Sequence, residues 1–209
     1  MDFDFICKVL VVGDIGTGKT SLIKRHVQGT FSPHYKSTIG VDFALKLLKL
    51  PDNNVIRLQL WDVAGQERFN KMTRIYYKDA MAAFVVFDVS RVTTFESTRF
   101  WKKDIDDKIN QDDNIPVILI ANKIDLVEDS QILNTLDDYC KDYGFTTWFA
   151  TSAKDNINIG GICEPIVNFI LNNKQKLVEE KERDLLNNTR GGMTICTGEG
   201  VDNSKKCCQ

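Results

Sequence analysis

The stretch VLVVGDIGTGKT (residues 9–20) runs from an apolar segment into three glycines followed by a lysine and a threonine. Because glycine leaves the backbone exposed, we expect a ligand to lie against the main chain just after a buried strand. Residues 13–20 match G-x-x-x-x-G-K-[ST], in which backbone N–H groups and a helix N-terminus surround an anionic oxygen cluster. The match predicts a phosphate cradle in which Lys19 reaches the β- and γ-phosphates and the Thr20 hydroxyl coordinates Mg²⁺. On its own, the pattern also fits a glycine-rich turn with a solvated lysine.

Length and composition predict one globular domain followed by a tail. The chain has 209 residues, of which 43% are hydrophobic and 27% charged, and a formal net charge of −2. No apolar run reaches the roughly 18 residues of a membrane-spanning helix, and the N-terminus has neither a basic signal region nor a myristoylation glycine. We therefore expect a monomeric cytosolic protein, and the lack of a basic stripe argues against nucleic-acid binding.

The cysteines and histidines do not follow the spacing of a metal site. Four of the cysteines are scattered, and in a reducing cytosol we interpret them as small buried or surface residues: Cys7, Cys140, Cys163 and Cys196. His26 and His34 have no metal-like partners in the sequence. We assign neither histidine a chemical role.

Strand-like apolar runs alternate along the chain with segments of helical period. The runs are residues 5–13, 40–50, 55–62, 82–90, 115–123 and 146–154, and PDNN between the second and third predicts a hairpin turn. Predicted helices begin near Lys19 and span residues 66–79, 95–111, 130–143 and a stretch from about 159. This alternation predicts a mostly parallel sheet covered by helices on both faces, and the glycine-rich sequence after about Asn187 predicts a flexible tail.

A second motif, WDVAGQE, follows the third apolar run and supplies a candidate metal ligand. Asp62 stands at the carboxyl end of that predicted strand, and Gly65 follows it with an accessible backbone. A magnesium ion that bridges phosphates needs further oxygen partners, and an acid beside the cradle strand is well placed to hold it, through water. Asp62 could instead be a turn former.

A third motif, ILIANKID, predicts a base-reading loop directly after another strand. A carboxylate at Asp125 can accept two parallel hydrogen bonds from guanine, which offers a ring N–H and an amine on one edge, whereas adenine does not. Asn122 can brace the loop and contact the base, and the Lys123 stem can cover the ring. The residues of TSAK, Ser152 to Lys154, could offer a backbone N–H to the guanine carbonyl. Alone, NKID could be an Asx-type turn.

Five motifs, GDIGTGKT, TIGVDF, WDVAGQERF, NKID and TSAK, occur in this order and together resemble the Rab family of small GTPases, in the Ras superfamily. The similarity covers roughly residues 5–177, and NKMTRIYYKDAMAAFVVFDVSR resembles the Rab branch that serves lysosome-related organelles. The resemblance implies an α/β, three-layer P-loop NTPase fold with a six-stranded, mixed but mostly parallel sheet and five helices. It also implies a GTPase domain over residues 1–180 and a hypervariable tail over residues 181–209.

The resemblance further implies the roles of individual residues. Thr38 would bind Mg²⁺ and the γ-phosphate, Gln66 would orient the attacking water, and Phe31 would lie against the guanine. The implied phosphate-binding set is Gly13, Ile15, Gly16, Thr17, Gly18, Lys19, Thr20, Ser21, Thr38 and Gly65, and the metal set is Thr20, Thr38 and Asp62. The implied guanine-binding set is Phe31, Asn122, Lys123, Asp125, Ser152, Ala153 and Lys154. The effector-binding set is Ile39, Gly40, Val41, Asp42, Phe43, Trp61 and Tyr76, of which the last three would otherwise be interpreted as core.

The implied activity is a switch of vesicle trafficking that binds GTP or GDP with Mg²⁺ and hydrolyses GTP to GDP and phosphate. Hydrolysis frees Thr38 and Gly65 from the γ-phosphate, so a partner that binds the ordered form dissociates. No arginine in the motifs is placed to act in cis, so we expect slow hydrolysis that a partner's arginine accelerates by about 10³–10⁵. Ile15 stands where Ras has glycine, and Val63 stands where related motifs have threonine. These two departures leave open the alternative of a scaffold that binds GTP without hydrolysing it. A P-loop kinase or ATPase is the other alternative, although NKID argues against it.

The chain ends in KKCCQ, which places Cys207 and Cys208 side by side at the tip of the predicted tail. Rab-like proteins carry geranylgeranyl groups on such a pair, and two lipid chains anchor a protein where one is marginal. Two free thiols are the alternative. The resemblance implies effectors, an exchange factor, a GTPase-activating protein, a prenylation escort and a GDP-dissociation inhibitor as partners. It also implies the cytoplasmic face of an endosomal or lysosome-related membrane, with a cytosolic pool.

Overall fold

The computed structural model describes residues 4–50, 54–66, 73–109 and 114–173. Its strands are β1 (Asp4–Val12), β2 (Val41–Lys49), β3 (Val55–Val63), β4 (Ala82–Asp88), β5 (Val117–Asn122) and β6 (Thr147–Thr151). Its α-helices are α1 (Lys19–Gln28), α2 (Thr73–Tyr77), α3 (Val92–Glu96), α4 (Thr98–Lys108), α5 (Leu136–Tyr143) and α6 (Glu164–Asn172). Residues 51–53 of the turn predicted at PDNN, Cys196 and the pair Cys207 and Cys208 lie outside the described residues. The strands on either side of that turn pair antiparallel, as a hairpin requires.

The strands form one six-stranded sheet in the order β2-β3-β1-β4-β5-β6. β2 pairs antiparallel with β3, and every other neighbouring pair in this order is parallel. From β1 the chain reaches β3 on one side and later β4 on the other, so the strand order reverses at β1. Ligands of open α/β sheets bind at such a reversal, beyond the carboxyl ends of the strands. The predicted mixed, mostly parallel sheet is confirmed.

The central strands are buried on both faces of the sheet. All residues of β4 and β5 are buried. Leu119 belongs to a cluster with Trp101 and Ile105 of α4, while its neighbour Ile118 is equally buried at 0% exposure. Since successive side chains of a strand point to opposite faces, both faces are covered and the fold has three layers. Trp101 and Ile105, four residues apart on α4, form a core-facing stripe of the helix.

Helix boundaries differ from the predicted ones, although their order is correct. The helix predicted over residues 95–111 begins at Val92 and ends at Lys108, and it is interrupted between α3 and α4 at Ser97. The Ser97 hydroxyl donates to the Thr93 carbonyl at 3.0 Å, which competes with the regular helical ladder. Counted with α3 and α4 as one interrupted region, the described residues contain the five predicted helices.

Two of the other helices start later than predicted. The one predicted over residues 130–143 becomes α-helical only at Leu136, after a 3₁₀ turn at Leu133–Thr135, and Gly144 ends it in the left-handed conformation at φ 70°. The last helix begins at Glu164 rather than near residue 159, with Pro165 in its first turn, where proline is tolerated. Of the helix predicted over residues 66–79, α2 is described, and residues 67–72 are not.

Internal contacts divide the chain into a compact unit, Met1–Phe169, and a second unit, Ile170–Gln209. Of the second unit, residues 170–173 are described, so the tail predicted over residues 181–209 and the domain end at 180 stay predictions.

Within the described residues, Cys7, Cys140 and Cys163 are buried free thiols, and His26 bonds the Ile159 carbonyl at 3.0 Å. None of the described helices combines the length and apolar character needed to cross a membrane.

Candidate functional site

A cavity of about 500 Å³ opens beyond the carboxyl ends of the central strands. Of the residues proposed for the nucleotide, it is lined by Ile15, Gly16, Gly18, Lys19, Thr20, Ser21, Phe31, Thr38, Gly65, Gln66, Asn122, Lys123, Asp125, Ala153 and Lys154. Gly13, Thr17, Asp62 and Ser152 do not line it and lie behind these residues. Its volume is in the range of small-molecule and cofactor sites.

The loop between β1 and α1 is held from behind through its carbonyl oxygens. Those of Gly13 and Asp14 accept hydrogen bonds from Lys19 Nζ at 2.8 and 2.9 Å. The fully buried Thr17 donates its hydroxyl to the Asp14 carbonyl at 3.0 Å. The Asp14 carboxylate accepts a bond of 2.8 Å from the indole N–H of Trp101, which fixes the loop to α4.

The next three carbonyls of the loop, residues 15–17, accept hydrogen bonds from side chains elsewhere in the fold. Arg91, Lys123 and Asn122 donate to them in that order, at 3.0, 2.6 and 2.9 Å. Across a trans peptide the N–H points away from the preceding carbonyl. The Thr17 N–H donates within the loop, to the Asp14 carbonyl at 3.4 Å. The Ile15 and Thr17 carbonyls are held away from Gly16 and Gly18, which line the cavity, so the N–H groups of these two glycines are turned towards it. Amides placed in this way at a helix N-terminus attract an anion.

Lys19 is the cation within this cradle. It is 6% exposed, and burial lowers its pKa to about 8, although the nearby Asp62 and Asp14 oppose that change. The charged form lacks water around it and a full counter-charge, so a phosphate beside the ammonium would stabilise it. The lysine thus has the burial and position expected of a phosphate ligand.

Three hard oxygen donors converge at the edge of the cavity beside Thr20. Asp62 Oδ2 accepts hydrogen bonds from the hydroxyls of Thr20 and, at 3.4 Å, Thr38, while the two hydroxyls lie 2.9 Å apart. Asp62 is 3% exposed, its Oδ1 has no partner among the described residues, and burial raises its pKa. A buried carboxylate with an unpartnered oxygen beside two hydroxyls fits Mg²⁺, which prefers oxygen ligands.

Asn122 joins the base-reading loop to the phosphate loop. Its amide donates to the Thr17 carbonyl at 2.9 Å, and its side-chain oxygen accepts from the Thr151 hydroxyl at 3.2 Å and the Ala153 N–H at 3.4 Å. The residue is 1% exposed. One side chain therefore holds together three segments that come from β1, β5 and β6.

Asp125 is fixed from behind by the segment that follows β6. Its Oδ1 accepts a hydrogen bond of 2.6 Å from the Ser152 hydroxyl, and its Oδ2 lies 3.6 Å from Lys154 Nζ. Lys123 turns the chain towards Asp125 with a left-handed backbone at φ 66°. Ser152 therefore orients the carboxylate rather than facing the cavity, and Asp125 stays on the wall.

Sequence reasoning missed several residues of the site. The cavity is also lined by Lys24, Ser32, Pro33, His34, Tyr35, Lys36, Ser37 and Leu126. Arg25 of α1 donates to the carbonyls of Ala153 at 2.8 Å and Lys154 at 2.9 Å, which holds the last loop in place. No sequence signal marks Arg25, because its partners lie 128 and 129 residues away along the chain.

The residues proposed to contact effectors surround the start of β2. Phe43 is 74% exposed and Ile39 is 86% exposed, and the Phe43 ring centre lies 6.2 Å from that of Trp61. Trp61 and Tyr76 are half-buried against the core. Apolar groups exposed side by side in this way are typical of protein interaction surfaces.

The segments on either side of the cavity contact each other and the phosphate loop. The Gly40 carbonyl accepts a bond of 2.9 Å from the Ala64 N–H. A Cβ on Gly65 would lie 2.5 Å from the Ile15 nitrogen and 2.7 Å from the Asp14 carbonyl carbon. Gly65 therefore allows the chain after β3 to approach the phosphate loop backbone to backbone.

Gly65→Ala is expected to push this segment away from the phosphate loop. We expect affinity for a non-hydrolysable GTP analogue to fall roughly 5- to 100-fold relative to GDP, since overpacking against backbone costs about 1–3 kcal/mol. Competition binding of both nucleotides measures this. Gly160→Ala is the control, because its Cβ would meet nothing within 4 Å. Equal behaviour of the two variants would contradict the expectation.

Fold and cavity together define a P-loop nucleotide-binding protein. The Ras family model matches residues 8–172. Rab-32A of Dictyostelium discoideum is 55% identical over 175 residues, covering 81% of this chain and 80% of the relative. Rab-32 of Mus musculus is 52% identical over 85% of this chain and 81% of its own length, and Rab-7L1 of Rattus norvegicus is 48% identical over 83% and 86%.

The chain therefore belongs to the Ras family, among its Rab small GTPases. It binds and hydrolyses GTP in vesicle trafficking and works with regulators and effectors, as members of this family do. The predicted family and the predicted GTPase activity are confirmed.

Proposed function

We propose that this chain is a membrane-attached switch that binds GTP or GDP with Mg²⁺ in the cavity and recruits effectors in the GTP state. The observation that carries the proposal is a single cavity that is lined by the phosphate loop, Thr20, Thr38 and Asp125, with the Asp62 carboxylate bonded to the two threonine hydroxyls behind the wall. Asn122 links the phosphate side to the base side of this wall.

The phosphate loop and Lys19 would hold the triphosphate. The Gly16 and Gly18 N–H groups would donate to the phosphates, and Lys19 would exchange the Gly13 and Asp14 carbonyls for phosphate oxygens. Thr20, Thr38 and Asp62 would hold Mg²⁺, with Asp62 acting through water, and the ion would offset the negative charge of the phosphates. Ile15 and Gly16, with Ser21, complete the wall on this side.

Gln66 is exposed on the cavity wall and would orient the attacking water. That water adds to the γ-phosphorus, its proton passes to phosphate or solvent, and the bond to the β–γ bridging oxygen breaks. The lining contributed by the described residues includes no arginine. Intrinsic hydrolysis should therefore be slow, and an activating protein's arginine would raise the rate by about 10³–10⁵.

Asp125 would select guanine by accepting hydrogen bonds from the ring N–H and the amine. Lys123 and Phe31 would flank the base, Ala153 would offer its backbone N–H, and Ser152 would keep Asp125 oriented. A competition assay in which GTP, GDP and ATP displace a fluorescent guanine nucleotide, with and without EDTA, tests the proposal. Displacement by ATP as efficient as by GTP, or no effect of EDTA, would count against it.

The switch itself would depend on Thr38 and Gly65, both of which line the cavity. In the GTP state the γ-phosphate and the metal would hold these two segments, and the exposed patch of Phe43 with residues 39–42, Trp61 and Tyr76 would bind effectors. After hydrolysis both segments are released and the patch changes shape. The difference in affinity between the two states would provide the signal.

Membrane attachment would use geranylgeranyl groups on Cys207 and Cys208, delivered by a prenylation escort and extracted by a GDP-dissociation inhibitor. The similarity to Rab-32 and Rab-7L1 supports an endosomal or lysosome-related membrane, reached on its cytoplasmic face from a cytosolic pool.

Replacing Cys207 and Cys208 together by serine is expected to move the protein from membranes to the cytosol, because both lipid chains are lost. Each single replacement should give an intermediate distribution, since one chain binds only marginally. Fractionation of cell extracts with mass spectrometry of the C-terminal peptide measures both effects, and retained GDP binding shows that the variants fold. A double variant that sediments like the wild type would contradict the attachment.

A further inference from the structure

Arg91 lies just after β4, behind the cavity wall, and its side chain connects two groups. Its Nε is 3.0 Å from Asp88 Oδ2, and its terminal nitrogen donates to the Ile15 carbonyl at 3.0 Å. The same nitrogen lies 3.5 Å from the place where a Cβ of Gly16 would be. Arg91 does not line the cavity, so the guanidinium acts on the phosphate loop from outside.

Asp88 is the carboxylate that orients Arg91. Its side chain is 3% exposed, and Oδ2 also accepts a bond of 2.7 Å from Lys123 Nζ. Its Oδ1 is held by the N–H and hydroxyl of Ser90 at 3.0 and 2.6 Å. One buried carboxylate therefore fixes two cations, which reach two successive carbonyls of the phosphate loop, those of Ile15 and Gly16.

The bond from Arg91 sets the direction of one particular amide. The Ile15 carbonyl and the Gly16 N–H belong to the same peptide plane and point in opposite directions. Gly16 has a φ of 75° and no side chain, so the peptide before it can rotate with little steric resistance. With the carbonyl held outside by Arg91, the Gly16 N–H faces the cavity.

We propose that Arg91, oriented by Asp88, is a positioning residue that keeps the Gly16 N–H directed at the nucleotide phosphates. This inference rests on the proposed placement of the phosphates against the loop. Arg91 touches neither the metal oxygens nor the cavity, so its role differs from that of an arginine that stabilises the transition state directly. Lys123 holds the next carbonyl of the loop, that of Gly16, whose peptide partner Thr17 N–H donates to the Asp14 carbonyl at 3.4 Å, and Asp88 contacts both cations.

Arg91→Met tests the proposal, because methionine keeps much of the stem and removes every donor. We expect fluorescent GDP to dissociate about tenfold faster, since a charged hydrogen bond to the loop is lost. The ³¹P NMR resonance of the bound β-phosphate should also shift, because the Gly16 N–H no longer points at it. Arg99→Met is the control: Arg99 lies exposed on α4, over the ring of Phe100, and should change neither quantity.

Arg91→Lys separates geometry from charge and also serves if Arg91→Met does not fold. The lysine stem is shorter, and its single ammonium does not match the spacing between Nε, which bonds Asp88, and the terminal nitrogen, which bonds the Ile15 carbonyl. We therefore expect dissociation to stay several-fold faster and the ³¹P resonance to stay displaced. Full recovery of both by lysine would assign the effect to charge alone and overturn the proposal. Wild-type behaviour of Arg91→Met would overturn it as well. A wild-type chain that failed to retain GDP would instead overturn the proposed function.

Discussion

Asp125→Asn is expected to weaken GDP and GTP binding by about 10²–10³-fold, because two hydrogen bonds to a carboxylate are affected together. Asparagine presents one acceptor and one N–H donor to the base, so the donor meets the guanine amine and cannot bond to it. Xanthine carries a carbonyl in place of that amine, which the new donor matches. We therefore expect xanthosine nucleotides to bind more tightly to the variant than GDP does.

Competition of GDP, xanthosine diphosphate and ADP against a fluorescent nucleotide measures this exchange of specificity. Asp129→Asn is the matched control, because Asp129 is exposed and lies outside the cavity while its substitution changes the charge equally. The Ser152 hydroxyl, at 2.6 Å from Asp125 Oδ1, should hold the asparagine in one orientation by donating to its oxygen. Unchanged GDP binding in Asp125→Asn would show that the base lies elsewhere.

Local sequence patterns were sufficient for the strands and for much of the cavity wall. A run such as residues 82–87 is apolar throughout because both faces of the strand are covered, and the glycine pattern of residues 13–20 reflects the needs of a phosphate loop. These signals are contained within a few consecutive residues. These signals can therefore be recognised without knowledge of the tertiary structure.

The groups that hold the loop from behind could not be predicted in this way. Trp101 is a buried core residue, but its indole N–H also bonds the Asp14 carboxylate, 87 residues away. Arg91 and Ile15 are 76 residues apart, and Arg25 reaches its partners across 128 residues or more. Such bonds depend on the order of the strands in the sheet, and the hydrophobic periodicity of a single sequence does not indicate that order. The predicted boundaries near Ser97 and Leu136 failed for a different, local reason: the hydroxyls of Ser97 and Thr135 donate to the carbonyls of Thr93 and Ile132 and compete with the helical hydrogen bonds.

Gly13→Ala is expected to destabilise the folded protein by about 3–5 kcal/mol, the range of the most severe single substitutions. Gly13 has a φ of 142°, and an added Cβ would lie 2.1 Å from the Val86 carbonyl oxygen and 3.0 Å from its carbon. Both atoms belong to the backbone of β4, so no side-chain rotation can relieve the contact. Either β1 and β4 must separate near Val12, which pairs with Val85, or the phosphate loop must shift.

Gly29→Ala is the control that separates backbone conformation from close approach. Gly29 also has a positive φ, 71°, but an added Cβ there would meet nothing within 4 Å. Its cost should therefore be the conformational strain alone, about 1–2 kcal/mol. Urea unfolding of both variants with saturating GDP measures the difference. A Gly13→Ala protein as stable as Gly29→Ala would mean that β4 does not press against the loop. If Gly13→Ala is unfolded while Gly29→Ala folds, glycine is required at position 13 chiefly because the backbone of β4 lies so close to it. Its contribution to phosphate binding is then secondary.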